Sequence, residues 1–160
     1  MSERSPAIIW RQSTSLPPMS VSSNSGKLDA VEKSVDSSIA SFHILVVDKD
    51  YELSQSIKSA LSSHGCKVTT AHDGNAAIAI AEVKKPDLIV LDLQMPKRSG
   101  LLVMEHLAVA QEEPIPIIVV TANEGSRHRK YAQLFGAIDY IIKPFTMDRL
   151  IQSVENILTA

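Results

Sequence analysis

The segment Leu88-Ile89-Val90-Leu91-Asp92-Leu93-Gln94-Met95-Pro96 decides the fold of this chain. Four consecutive aliphatic residues are typical of a parallel strand buried on both faces, because such a strand need not alternate with polar residues. The run ends in one carboxylate, Asp92, and Pro96 stops the strand soon after. In open α/β sheets, ligands bind outside the carboxyl ends of the strands. We therefore expect Asp92 to face a functional site rather than bulk solvent.

Similar apolar runs flank this strand on both sides and alternate with helical patterns. The predicted strands are 44–47, 66–71, 88–91, 115–120 and 137–142, and the predicted helices are 51–63, 75–83, 101–110, 126–135 and 147–158. Five strands alternating with five helices predict an α/β fold, with a parallel sheet covered on both faces. Right-handed crossovers leave few topologies. The flavodoxin-like, doubly wound order 2-1-3-4-5 suits this length, and its switch point lies between the first and third strands.

Polar residues follow four of these strands. The first strand ends at Asp48, the third at Asp92, the fourth at Thr121 and the fifth at Lys143. Because the carboxyl ends of parallel strands share one edge of the sheet, two carboxylates, a hydroxyl and an ammonium are expected to converge there. Two of the four flank the expected switch point, where ligands bind in such sheets.

Composition excludes several classes of protein. The chain has 160 residues and a formal net charge of -2, which predicts one ordinary domain and gives no electrostatic case for nucleic-acid or membrane-surface binding. No apolar run approaches the roughly 20 residues that span a bilayer, and the N-terminus lacks the pattern of a signal peptide. Cys66 is the only cysteine, so an internal disulfide is excluded and a cytoplasmic location is expected.

The first 41 residues differ from the rest in composition. They are rich in Ser and short of apolar side chains, so we expect 1–41 to be a mostly disordered tail and 42–160 to be the folded domain. A short helix leading into the domain is the alternative for the end of this segment, because four aliphatic residues recur at near-helical spacing. They are Leu28, Val31, Val35 and Ile39.

From about residue 42 onward, the sequence resembles the receiver domain of two-component response regulators and is similar to the single-domain chemotaxis type. The resemblance rests on a set of motifs in a fixed order. They are Ile44-Leu45-Val46-Val47-Asp48, Asp73-Gly74, Asp92 with Met95-Pro96 and Gly100, Thr121-Ala122, Gly136-Ala137, and Lys143-Pro144-Phe145.

The resemblance implies a phosphoacceptor switch. Asp92 would accept a phosphoryl group from a phosphohistidine of a sensor histidine kinase or histidine phosphotransfer protein, Thr121 would contact the phosphoryl oxygens, and Lys143 would pair with them.

Tyr140 falls where the family has a rotating aromatic switch, and Lys143-Pro144 where it usually has a cis peptide. The face of the fourth helix, fifth strand and fifth helix is where partners of the family usually dock, so a downstream protein target is expected to bind there. A carboxylate nucleophile forms a high-energy acyl phosphate, and positioning with charge neutralisation does most of the remaining work.

The resemblance also implies a Mg²⁺ site made by Asp48, Asp92 and the backbone carbonyl of Gln94, but one residue departs from the family pattern. Lys49 stands where receivers usually have a second acid that binds the metal directly. Two unit charges 4 Å apart interact by about 4 kcal/mol at an effective dielectric near 20, so an ammonium here perturbs metal binding strongly. We expect weakened Mg²⁺ binding.

The sequence is compatible with three arrangements of this loop. Lys49 can point outward and leave a weaker metal site. Asp50 can replace the lost acid, although capping the first helix is its favoured role. Lys49 can instead pair with Asp92 and stand in for the metal.

Three functions follow from these alternatives. The favoured one is a phosphoacceptor; we expect no output domain after the last predicted helix, and therefore expect it to act by binding a partner or passing phosphate onward. The second is a phosphate-independent pseudo-receiver adaptor, which Lys49 supports. The third is a phosphatase of the haloacid-dehalogenase type using Asp48, because Asp48-Lys49-Asp50 resembles that nucleophile motif; the late acidic motif of those enzymes is missing.

Structural roles are predicted for several remaining polar residues. Asp73 is expected to cap a helix or shape a turn, and Thr121 can also serve as an N-cap for the next helix. Tyr140 can be an ordinary packing residue. The basic run 127–130 is either a solvated helix face or a docking patch. No metal-ligand spacing relates the histidines, which are interpreted as surface or packing residues: His64, His72 and His106.

Overall fold

The computed structural model describes residues 37–160. The expected disordered tail falls almost wholly outside this range, as do Leu28, Val31 and Val35 of the possible lead-in helix. Its last member, Ile39, lies in a short 3-10 helix, Ser37–Ile39.

Five strands alternate with five α-helices after that turn. In chain order they are β1 (His43–Val47), α1 (Tyr51–Ser62), β2 (Lys67–Ala71), α2 (Gly74–Lys84), β3 (Leu88–Leu91), α3 (Gly100–Ala110), β4 (Ile117–Thr121), α4 (Ser126–Leu134), β5 (Ala137–Ile142) and α5 (Met147–Leu158). All four strand pairings are parallel, and the sheet order is β2-β1-β3-β4-β5. The predicted flavodoxin-like fold is confirmed.

Two strands start later than predicted, each for a local reason, and β1 starts one residue earlier, at His43. β4 begins at Ile117 rather than at residue 115, because Pro116 has no N–H to donate to a neighbouring strand and only its carbonyl takes part, accepting from Ile89. β2 begins at Lys67 rather than Cys66, because the Cys66 N–H bonds back to the Leu61 carbonyl at the end of α1.

The sheet separates two hydrophobic clusters. In β1, Leu45 and Val47 face the cluster that includes residues of α2 and α3, while Ile44 and Val46 face the one that includes residues of α1 and α5. This alternation follows from the two-residue period of a strand. Every residue of β3 is buried, as expected for the central strand of the sheet. The carboxyl edge of the sheet therefore belongs to a scaffold that is packed on both faces.

Ile39, which precedes β1, is fully buried and belongs to the hydrophobic cluster that includes residues of α1 and α5. The Ser41 N–H donates to the Gly65 carbonyl at 2.9 Å, and the Cys66 thiol donates to the Ile39 carbonyl at 3.3 Å. Gly65 has φ +91°, and a Cβ there would lie 2.8 Å from the Ala40 Cβ. The turn after α1 therefore needs glycine both for its backbone conformation and for the close approach of the segment before β1.

Acidic residues cap the two helices that follow β1 and β2. Asp50 accepts from the Leu53 N–H at the start of α1, and Asp73 accepts from the Ala76 N–H at the start of α2. Both predicted capping roles are confirmed. No helix within residues 37–160 is long and apolar enough to cross a bilayer.

Candidate functional site

Two buried carboxylates lie side by side at the carboxyl edge of the sheet. Val47 of β1 is paired with Leu91 of β3, so Asp48 and Asp92 leave the sheet at the same level. Their exposed fractions are only 2% and 3%. The Asp92 N–H donates to the Val47 carbonyl at 3.0 Å, which continues the strand pairing up to the acid itself. Regular parallel pairing therefore brings the two carboxylates together.

The ammonium of Lys143 joins both acids. Its Nζ lies 2.8 Å from Asp48 Oδ2 and 3.0 Å from Asp92 Oδ2. Burial lowers the pKa of Lys143, but the hydrogen bonds and charges of the two carboxylates outweigh it and leave the pKa above its ordinary value. Lys143 is therefore a cation at neutral pH.

The neighbouring strand β4 holds the backbone of Lys143 in place. The Lys143 N–H donates to the Thr121 carbonyl at 2.9 Å, and the peptide bond between Lys143 and Pro144 is cis. That cis bond agrees with what the resemblance implied.

The remaining carboxylate oxygens accept from loop amides. Asp48 Oδ1 accepts from the Asp50 N–H at 2.8 Å, and Asp92 Oδ1 accepts from the Gln94 N–H at 3.0 Å. Within the described part of the chain, no buried side-chain oxygen or nitrogen lacks a hydrogen-bond partner. Each acid is thus held by one backbone donor and one shared ammonium, which fixes its orientation.

Thr121 and Tyr140 both form hydrogen bonds with the backbone of Asn123. The fully buried Thr121 accepts from the Asn123 N–H at 3.3 Å, and the Tyr140 hydroxyl donates to the Asn123 carbonyl at 2.9 Å. The alternative role of Thr121 as a helix N-cap is wrong, because α4 starts only at Ser126 and Gly125 occupies the cap. Tyr140 is 8% exposed and belongs to a core cluster, so it is both packed and hydrogen-bonded to the loop after β4.

Lys49 is exposed, and the structure favours the first of the three arrangements expected for this loop. The Asp92 side chain is paired with Lys143 rather than with Lys49. The Asp50 side chain caps α1 instead of entering the site. The acidic position lost to Lys49 is therefore not refilled by a neighbouring carboxylate.

The donors at this edge suit Mg²⁺ in kind but are few in number. Asp48 and Asp92 supply carboxylate oxygens, and the resemblance implies the Gln94 backbone carbonyl as a third ligand; all are hard oxygen ligands of the type Mg²⁺ prefers. Among residues 37–160, no group of three or more His, Cys, Asp or Glu side chains is arranged to hold a metal ion. The residues therefore fit a metal that keeps several of its water ligands.

His72 makes a contact with the Asp48 backbone that the sequence did not predict. Its Nδ1 lies 3.0 Å from the Asp48 carbonyl oxygen, and because a carbonyl can only accept, His72 is the donor. The centroid of its ring lies 5.3 Å from that of Tyr51 at the start of α1. His72 therefore anchors the loop that carries Asp48. Its position directly after β2, the neighbour of β1, was the available signal, although the sequence predicted only a surface or packing role for His72.

Gly100 allows α3 to start close to Asp92. A Cβ at Gly100 would lie 2.4 Å from the Asp92 carbonyl oxygen and 2.6 Å from the Leu93 Cα. The Gly100 N–H donates to the Leu93 carbonyl at 2.9 Å. Only glycine permits this approach, which explains its place in the motif after Asp92.

Comparison with known proteins gives one consistent family. The family described as "Response regulator receiver domain" matches residues 44–155. The probable transcriptional regulatory protein TcrX of Mycobacterium tuberculosis is 34% identical over 115 residues, which cover 72% of this chain and 49% of that protein. The response regulator MprA of Mycobacterium bovis is 36% identical over 118 residues, covering 74% of this chain and 51% of that protein. The chain spans about half the length of these curated relatives.

Solved structures show the same similarity over nearly their whole length. The receiver domain of the Francisella response regulator 1452 is 31% identical with a TM-score of 0.67, and the match covers 74% of this chain and 96% of that one. A CheY-like receiver domain protein from Methanospirillum hungatei has a TM-score of 0.70 at 24% identity, covering 74% of this chain and 94% of that one, and supports the fold alone. The family match, these relatives and the acid pair at the switch point lead to one conclusion: the chain belongs to the response regulator receiver domain family of two-component systems.

Proposed function

We propose that Asp92 accepts a phosphoryl group from a phosphohistidine of a sensor histidine kinase or histidine phosphotransfer protein, and that its phosphorylation changes the binding of a downstream protein. The observation that carries this proposal is the Lys143 ammonium shared by Asp48 and Asp92 at distances of 2.8 and 3.0 Å. A cation already in contact with the nucleophile is well placed to neutralise charge on an incoming phosphoryl group.

The reaction requires little of the protein beyond the nucleophile and its neighbours. A carboxylate oxygen of Asp92 would form a bond to phosphorus as the phosphorus–nitrogen bond of the phosphohistidine breaks, leaving the electron pair on the imidazole. The product is an acyl phosphate on Asp92. Lys143 would then pair with the phosphoryl oxygens, and the Thr121 hydroxyl, which now accepts from Asn123, is free to donate to one of them.

Asp48, Asp92 and the Gln94 carbonyl would hold Mg²⁺. When bound, the metal supplies positive charge that offsets the charge of the phosphoryl oxygens. Lys49 weakens this site because an ammonium stands where an acid is expected. We therefore propose that phosphorylation depends on Mg²⁺. It is reduced relative to that of a receiver with both acids, because the metal binds more weakly.

The test is to locate the modified residue. Wild type incubated with acetyl phosphate and Mg²⁺ is expected to gain one hydroxylamine-sensitive phosphate, and peptide mapping is expected to place it on Asp92. Asp92→Asn should abolish the signal. Asp48→Asn should reduce it but leave any remaining phosphate on Asp92. Phosphate mapped to Asp48 would instead favour the phosphatase interpretation, which is weakened because Asp50 caps α1.

A second candidate is a phosphate-independent adaptor, favoured by one observation, the exposed Lys49 at a position where the family has a metal-binding acid. The two candidates differ in how a partner responds to Asp92→Asn. A phosphoacceptor switch loses its phosphate-dependent change in partner binding, whereas an adaptor binds the same partner equally well before and after the substitution.

A further inference from the structure

Arg129 contacts the ring of Tyr140 from the surface of α4. Its guanidinium carbon lies 4.7 Å from the ring centroid. This is within the roughly 6 Å over which a cation is attracted to an aromatic face. Arg129 itself is exposed, whereas Tyr140 is 8% exposed. One member of the basic run 127–130 is therefore engaged with a core aromatic residue.

The ring of Tyr140 is held at two points. Its hydroxyl donates to the Asn123 carbonyl at 2.9 Å, and its face is covered by Arg129. Burial raises the pKa of Tyr140, and the nearby charge of Arg129 opposes that rise. Because Asn123 also donates its N–H to Thr121 at 3.3 Å, three successive contacts run from Thr121 through Asn123 and Tyr140 to Arg129.

We propose that Arg129 is the positioning residue that keeps Tyr140 in its buried orientation and links the position of the ring to the surface of α4. Its consequence for signalling rests on the proposed function, since phosphate on Asp92 would act on Thr121. The positioning itself requires no phosphate.

Rotation of Tyr140 towards solvent breaks both of its contacts at once. The hydroxyl leaves the Asn123 carbonyl, and the guanidinium loses the ring face it covers. The guanidinium of Arg129, which is already exposed, then changes its position relative to the other basic residues of α4, among them the exposed Lys130. The positive surface of α4 is therefore coupled to the ring, and a partner that reads this surface by charge can sense the state of Thr121.

A double-mutant cycle on folding stability tests the contact. Arg129→Ala and Tyr140→Leu are made singly and together, and unfolding in urea is measured without Mg²⁺ or any phosphate donor. A cation–π contact at an exposed site predicts a coupling of about two- to fivefold in the unfolding equilibrium constant. Lys130→Ala, which removes the same charge one residue further along α4, should show no coupling with Tyr140→Leu. A coupling factor near one for Arg129 would overturn the proposal.

A second measurement follows the ring directly and avoids any variant that removes it. Three-bond couplings in NMR give the side-chain rotamer populations of Tyr140 in wild type, Arg129→Ala, Arg129→Lys and Lys130→Ala. The ratio of outward to buried rotamers should rise about two- to fivefold in Arg129→Ala, rise less in Arg129→Lys, which keeps the cation, and stay at the wild-type value in Lys130→Ala. Unchanged populations in Arg129→Ala would contradict the positioning role.

These measurements separate this proposal from the proposed function. Failure of Asp92 to accept phosphate would refute the proposed function and leave the coupling and the rotamer ratios as predicted. Normal phosphorylation of Asp92, with no coupling between Arg129 and Tyr140, would refute only the role of Arg129.

Discussion

Lys143 occupies a position where two buried carboxylates would otherwise repel each other. Its side chain is 21% exposed, while those of Asp48 and Asp92 are 4% and 3% exposed. Buried ions lose solvation, and the loss is offset only if hydrogen bonds satisfy them well. Here each acid also accepts from a backbone N–H, at 2.8 and 3.0 Å. The three charges therefore form one unit whose stability depends on the ammonium.

Removing this ammonium is expected to destabilise the resting protein. Lys143→Met leaves Asp48 and Asp92 adjacent with no cation between them, at an expected cost of about 1–3 kcal/mol at pH 7, since the site is partly open to solvent. Urea unfolding measures this loss. Lys143→Met combined with Asp92→Asn should recover part of it, because only one carboxylate remains charged. Equal stability of Lys143→Met and wild type would show that the ammonium does not hold the acid pair.

Asp139 ties the edge strand β5 to α5. It accepts from both terminal nitrogens of Arg149, at 3.0 and 3.2 Å, and from the Ser153 hydroxyl at 2.6 Å. Burial by itself raises the pKa of Asp139, but these hydrogen bonds and one from the Tyr140 N–H outweigh it, so the pKa lies below its ordinary value. A carboxyl group with a lowered folded-state pKa contributes stability above its unfolded pKa and loses that stability as the pH falls through the folded value.

We therefore expect Asp139→Asn to be less stable than wild type at pH 7 by about 1–2 kcal/mol. The difference should shrink as the pH falls below about 4, where wild type loses the same interaction. Urea unfolding from pH 7 to pH 3 measures both effects. The exposed Asp148→Asn on α5 removes the same charge without these bonds and should change stability less. A difference between wild type and Asp139→Asn that is constant with pH would contradict this explanation.

Gly100 connects the start of α3 to the acceptor. In Gly100→Ala the new Cβ would meet backbone atoms of Asp92 and Leu93 that cannot move aside cheaply. We expect a loss of about 1–3 kcal/mol in stability and slower phosphorylation from acetyl phosphate, because the strain falls on Asp92. Gly125→Ala is the control, since its nearest neighbour is the end of the Asn123 side chain, at 3.1 Å. Similar losses of stability and similar phosphorylation rates in the two variants would contradict the close-approach argument.

Regular elements were predictable from the sequence, while contacts made by loops were not. Hydrophobic periodicity located all ten strands and helices, and parallel topology then placed Asp48, Asp92, Thr121 and Lys143 on one edge. The link through Asn123 uses its backbone N–H and carbonyl, which leave no signature in the side-chain pattern. The burial of Ile39 also escaped prediction, because the near-helical spacing that ends at Ile39 suggested a lead-in helix but did not show which of its residues packs against the domain.

At the scale of the whole molecule, events at the site are linked to global stability. The acid pair lies on adjacent strands between two hydrophobic clusters, so the site exists only when the sheet and both clusters are formed. A ligand that binds this edge in the folded state alone must stabilise the entire domain. Stability is therefore a measure of metal binding that needs neither a kinase nor phosphate transfer.

This linkage provides a test of Lys49. At 10 mM Mg²⁺, a site with a dissociation constant near 10 mM stabilises the folded state by about 0.4 kcal/mol, and tenfold tighter binding raises this to about 1.4 kcal/mol. We expect a gain nearer the smaller figure for wild type and a larger one for Lys49→Asp, measured by urea unfolding with and without Mg²⁺ at constant ionic strength.

Two control variants decide what the gain means. Lys84→Asp makes the same charge change on an exposed residue at the far end of α2 and should leave the Mg²⁺-induced gain at the wild-type value. Asp48→Asn should remove most of it, because one of the two carboxylate ligands is lost. Equal gains in wild type and Lys49→Asp would mean that Lys49 does not limit metal binding. No gain in either would mean that the ammonium of Lys143, rather than a metal, neutralises this pair of acids.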